Sequence, residues 1–171
     1  MRALLAPAVI GSILLAALST IADYVWFLGI PQHQVTSGAI HGGVLFAALG
    51  LYLGWRKGQA LTGLAGGLAS GLVAALSFYV LAPIGGYSMM LASWLILWIL
   101  LAILQTHLDG RLSVAKGLGR GIITAVVAAA GFGLVLFRLY RGWPPSTFPV
   151  FTHFTAWTVA YLPGLYVLLK R

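Results

Sequence analysis

A chain of 171 residues with 61% hydrophobic and only 7% charged side chains lacks the polar surface to cover a water-soluble globule. Its 10 lysines and arginines face 2 acidic residues, but they come in ones to threes between apolar runs. That spacing excludes a nucleic-acid patch and suits charges that orient membrane helices, while the absence of cysteine excludes disulfides and thiolate chemistry.

The first apolar run, Ala3 to about Ala22, is longer than the core of a signal peptide. Ser12, Ala16, Ser19 and Asp23 recur along it at steps of four, three and four, so they share one helix face. A face of that kind serves a helix that packs against others, and the run reads as a retained first membrane span. The chain leaves this span through Trp26 and Phe27, and Pro31, Gln32, His33 and Gln34 make a short loop. A second span is expected from Gly38 to Trp55, stopped by Arg56 and Lys57. The third, Leu61 to Leu81, carries Gly63, Gly67 and Gly71 and is predicted to end at Ala82-Pro83, where proline removes a helix donor.

The fourth span, Met89 to about Gln105, is covered with bulk by Trp94, Leu95, Leu97, Trp98, Leu100, Leu101 and Leu104, and is expected outermost, facing lipid over much of its surface. Asp109-Gly110-Arg111 reads as a turn. The fifth, Gly117 to Tyr140, has Gly117, Gly121, Ala125, Ala129 and Gly133 at strict intervals of four. The sixth runs from Pro149 to Leu169, with Pro163-Gly164 as an expected kink. Each run approaches the ~20 residues that cross a ~30 Å hydrocarbon core. The expected fold is therefore all-α: one integral membrane domain over residues 1–171, a six-transmembrane-helix bundle. Lipid supplies no hydrophobic force between helices, so small-residue faces must supply close contacts. On that ground the third and fifth helices are expected at the centre.

Six spans put Arg2, Arg56, Lys57, Arg111, Lys116, Arg120, Lys170 and Arg171 on one side and only Arg138 and Arg141 on the other. The positive-inside rule then predicts both termini in the cytoplasm, in a cell's inner membrane. The outer side collects Asp23, His33, His41, Tyr87, Arg138, Arg141 and His153 near the ends of helices. Ionisable groups in a membrane tend to mark ligand or ion sites, and the arginine forks suit a small anionic ligand. The expectation is an outward-facing polar pocket, walled or lidded by the interval Arg138–Trp157, which Pro144 and Pro145 stiffen. An Asp23–Arg138 pair could equally serve only to fix two helix ends. Trp26, Phe27, Tyr87, Trp143, Phe148 and Phe151 read as an interfacial belt.

The two carboxylates, Asp23 and Asp109, fall on opposite sides of the membrane, which argues against a paired acid–base site and against an enzyme. A metal or haem would require His41 and His153 to converge, with His33 or Asp23 completing the set. No HxxxH or HExxH spacing supports one, so no cofactor is expected. Three function classes follow: a ligand-binding or transport-associated subunit; a structural subunit whose glycine faces hold a membrane partner or a second copy; and a haem or metal redox protein. In size, span number and outward cavity the chain resembles the substrate-binding components of energy-coupling-factor transporters, an architectural likeness without a residue motif. It implies that a small-residue face on the first helix, here Ala8, Ser12 and Ala16, docks a partner.

Overall fold

Six α-helices follow one another in the computed structural model, which describes residues 2–29, 34–110, 113–134 and 150–169. They are α1 (Arg2–Gly29), α2 (Gln34–Trp55), α3 (Ala60–Gly85), α4 (Met89–Leu108), α5 (Val114–Leu134) and α6 (Val150–Leu169), with one 3-10 turn, Gly86–Ser88, between α3 and α4. Four of them contain stretches long and apolar enough to cross a membrane: Leu5–Val25, Val35–Trp55, Ala60–Gly85 and Met89–Leu108. Large apolar side chains stay on the outside, with Leu61 80% and Ile84 81% exposed. Water would penalise such a surface, and lipid would not.

Neighbours in sequence are neighbours in space, and α6 returns to lie against α1, so the helices form a closed ring. Contacts such as Gly54 with Gly63, Ser77 with Ser93, Thr106 with Gly117 and Ser19 with Tyr161 show that successive helices run antiparallel. The seams of the ring are unequal. α2 and α3 make the most extensive contact, while α1 and α2 make the slightest of any sequential pair among the described residues.

Backbone touches backbone in the α2–α3 seam. Gly63 and Gly67 of α3 lie against Gly50, Gly54 and the Phe46 carbonyl of α2, and Gly71 lies against Gly42. A Cβ on Gly63 would collide with the Gly50 carbonyl oxygen and sit 2.7 Å from the Gly54 Cα. Gly117, Gly121 and Ala125 of α5 are buried, with Gly117 beside Thr106 and Gly121 beside Ile99 on α4. Ala129 is half-buried, and Gly133 lies in the last turn of α5 with its surroundings outside the described residues.

The bulky fourth helix is not outermost. Trp94, Leu97, Trp98, Leu101, Ala102, Leu104 and Leu108 of α4 are all buried, and Trp98 is fully enclosed. It is α3 that lies outside, burying only its narrow stripe of Gly63, Gly67, Ser70, Gly71 and Ala74. The reason is volume. Glycine faces seal one pair of helices, but they cannot fill the space inside a ring of six, which must be close-packed. Only large side chains fill it.

Helix ends also differ from expectation. α3 runs through Pro83 to Gly85 and stops where Gly86, at φ +60°, donates its N–H to the Ala82 carbonyl. Glycine reaches that backbone region without a Cβ clash. α6 is a continuous helix through Pro163, and Gly164 leaves the space that the Trp98 ring occupies, its absent Cβ falling 2.6 Å from Trp98 Cζ2. Ala8, Ser12 and Ala16, the face implied to dock a partner, are each fully buried inside the chain.

Replacing Gly63 by alanine should therefore cost about 3 kcal/mol, because backbone rather than a flexible side chain must give way. Gly119→Ala, at an exposed α5 position with nothing within 4 Å of the added methyl, should be neutral or stabilising by up to about 1 kcal/mol. Thermal denaturation of the two variants in one detergent checks the contrast.

Candidate functional site

Two polar nodes stand at opposite ends of the bundle, each built on one of the chain's two carboxylates. The first is Asp23. Its helix continues six residues beyond it to Gly29, so Asp23 lies about 9 Å inside the helix end rather than at it. His41 is likewise seven residues inside α2, and Trp157 seven residues inside α6. The three side chains meet at one level. Trp157 donates its indole N–H to Asp23 Oδ2 at 2.8 Å, and His41 Nδ1 stands 3.7 Å from Asp23 Oδ1.

A second tie lies one turn deeper, where the hydroxyls of Ser19 and Tyr161 are 2.8 Å apart. The register is simple: α1 steps back four residues while α6 steps on four. Serine and aspartate on one helix thereby face the hydroxyl and N–H tips of two aromatic side chains on the other. Those rings continue inward as a cluster. Trp157 stacks on Tyr161 at 5.7 Å, and Trp94 reaches both, with Trp98 edge-on to Trp94 at 5.8 Å. The aromatic wall excludes water from one side of Asp23, while the carboxylate and His41 side chains remain 22% and 19% exposed.

The polar stripe of the first helix, Ser12, Ser19 and Asp23, is thus directed at α6 and the ring interior. Of the other residues assigned to the outer pocket, His153 lies within α6 one turn before Trp157, with its side chain outside the described residues. His33, Arg138 and Arg141 also lie outside the described residues, as does most of the 138–157 interval. Asp23 is thus tied to Trp157 and approached by His41. No group of three His, Cys, Asp or Glu side chains gathers among the described residues.

The second node is Asp109, whose place in a turn gives no sign of its partners. Its carboxylate, 10% exposed, pairs with Lys57 from the α2–α3 turn and stands 4.0 Å from the Arg120 guanidinium. Arg120 in turn donates to the Leu168 carbonyl at the end of α6, a cation satisfying an orphan helix carbonyl. Gln59 donates to the Leu108 carbonyl at 3.2 Å. Turn geometry places these donors: Gly58 at φ +70° closes α2 and swings Lys57 and Gln59 over the end of α4.

Trp157 and Tyr161 were not singled out from the sequence. Their signal was present, two aromatics with polar tips four residues apart, matching the four-residue step between Ser19 and Asp23. In the sequence Lys57 and Arg120 count only as orienting charges, because pairing across three separate segments is invisible in a linear pattern. No known protein family, curated protein or solved structure matches this chain.

Removing the indole donor alone tests the first node: Trp157→Phe keeps most of the ring and should cost about 1–3 kcal/mol, the penalty for stripping a partly buried carboxylate of a partner. At the second node, Asp109→Asn leaves Lys57 and Arg120 without their counter-charge and should cost about 3 kcal/mol. Denaturation midpoints in detergent report both.

Proposed function

We propose that the chain is a polytopic membrane protein of six spans with both termini cytoplasmic, and that it is a ligand-binding or transport-associated subunit whose site is the Asp23–His41–Trp157 node. The supporting observation is depth. A carboxylate and an imidazole lie about two turns inside their helices rather than at the ends, where lipid head groups and water would satisfy them cheaply. A site that keeps two ionisable groups at that level, on two helices with an indole donor from a third, and still partly open, fits binding better than anchoring. Anchoring at the other end is already provided by the Asp109 network.

In this reading the first node faces outward, away from the side with eight of the ten basic residues. The charged end that holds Lys57, Asp109 and Arg120 faces the cytoplasm of a cell's inner membrane. His33, Arg138, Arg141 and His153 supply further donors on the outer side, and two arginines so placed suit a small anionic ligand. Asp23 then orients the aromatic and imidazole donors rather than meeting the anion itself. Trp157, held by the carboxylate, is fixed in rotamer by packing against Tyr161 and Trp94, a supported geometry of the kind a binding site needs.

Two measurements test the two parts. The chain has no cysteine, so single cysteines at positions 57 and 143 can be labelled cleanly in intact cells. Position 143 should react with an impermeant maleimide and position 57 only after permeabilisation, and the reverse pattern would overturn the topology. For binding, the protein purified in mild detergent should carry a small molecule, read by mass spectrometry, that is depleted at least tenfold in Asp23→Asn and Arg138→Ala but kept in Asp109→Asn. Equal retention in all three would remove the node from the function.

A further inference from the structure

We infer that the buried face of α4 is a hydration site, holding water inside the helix ring at the indole N–H of Trp98 and the amide oxygen of Gln105. The inference goes beyond the proposed binding site and shares no residue with it.

Trp98 and Gln105 stand seven residues apart, just under two turns, so they share one face of α4 and lie about 10.5 Å apart along its axis. Trp98 is fully enclosed and Gln105 is more than nine-tenths buried. Among the described residues neither Trp98 Nε1 nor Gln105 Oε1 has a hydrogen-bond partner. Lipid around the bundle offers none. A buried polar group left without a partner costs the whole of its desolvation, and surroundings of hydrocarbon make that cost higher still.

Local rotation relieves neither group. Thr20 Oγ1 is likewise without a partner among the described residues, but a threonine hydroxyl can turn onto the carbonyl four residues back, as those of Thr106 and Thr124 do. The Trp98 ring has no such freedom, being set into the gap at Gly164 and edge-on to Trp94. Its N–H is also too far from its own backbone to reach a carbonyl. The Gln105 oxygen needs a donor, and the N–H groups around it in the body of α4 are already spent within the helix.

One group lacks an acceptor and the other a donor. Water is both, and a buried water makes about three hydrogen bonds. At Trp98 it accepts the indole N–H and donates to the backbone of α6. Gly164 brings the ring onto that backbone, and Pro163 carries no N–H for the Val159 carbonyl, which therefore keeps its acceptor capacity. At Gln105 the water donates to the amide oxygen and accepts from Lys57. That ammonium has three donors and stands on Asp109, four residues further along α4.

The chain has six tryptophans, so nitrogen-15 labelling of tryptophan gives a short list of indole signals in detergent. The signal missing from Trp98→Phe is that of Trp98; should this variant fail to fold, labelled tryptophan placed at position 98 alone gives the same assignment. The Trp98 indole proton should show a cross-peak to the water resonance, with the relative NOE and ROE signs of a long-lived bound water. No cross-peak, or an upfield-shifted proton lying over the Trp94 ring, would overturn the inference. Gln105→Leu, which keeps the volume and removes the oxygen, reads the second position. It should lower the thermal midpoint by about 2–4 °C, the shift expected for one lost hydrogen bond in a chain of this size, and leave the Trp98 cross-peak in place. An unchanged or raised midpoint would mean that the oxygen had no partner to lose, and would equally overturn the hydrated face.

Discussion

The contact of Trp98 with Gly164 sets the geometry of the whole bundle. A six-helix ring encloses more volume than small side chains can occupy, and a fully buried indole set into the gap left by a glycine occupies it. Once α4 fills the interior with Trp94, Leu97, Trp98 and Leu101, α6 must lie close on one side of it. That position brings Tyr161 and Trp157 against both Trp94 and α1. The aromatic cluster is thus continuous with the polar node, and the node's geometry is inherited from the core. α3 is left to the periphery, held through its glycine stripe to α2 alone on that face.

Helix number and approximate bounds were legible in the sequence because apolar runs of membrane-spanning length admit little else. The polar stripe Ser12, Ala16, Ser19 and Asp23 was legible too, since one helix face is a local property. Which helix fills the interior was not legible. A leucine- and tryptophan-rich helix has the same periodicity whether its bulk meets lipid or a ring interior, because lipid and protein core are about equally apolar. Depth failed for a related reason. The sequence places Asp23 at the far end of the first helix, yet α1 runs on through Trp26 and Phe27 to Gly29, so Asp23 lies nearly two turns inside it. The pairing of Asp109 with Lys57 and Arg120 needed three chain segments in place before charge of opposite sign could be seen to meet.

The two nodes make opposite use of a carboxylate. Asp109 is surrounded by two cations and a helix end, nine-tenths buried, an arrangement that fixes position. Asp23 has a neutral donor on one oxygen and a titratable ring on the other, and is twice as open. A chain that keeps only two acidic residues places both between helices. One end of the ring is tied by two cations on a carboxylate, the other by an indole donor and an imidazole beside one.

The closure of the ring by α6 on α1 has a consequence for how the chain is made. The Asp23–Trp157 bond joins residues 134 positions apart, whereas α2 and α3 are joined by a four-residue turn. The glycine hairpin can therefore form as soon as its residues enter the bilayer, but α1 must wait through four further helices for its partner. During that interval Ser12, Ser19 and Asp23 face lipid or transient neighbours. Contacts of such sequence separation form late and slowly. The half-built bundle, with a carboxylate helix still unmatched, is the species most exposed to misassembly and to the proteases that survey the membrane. Synthesis ends that exposure only when Tyr161 and Trp157 arrive.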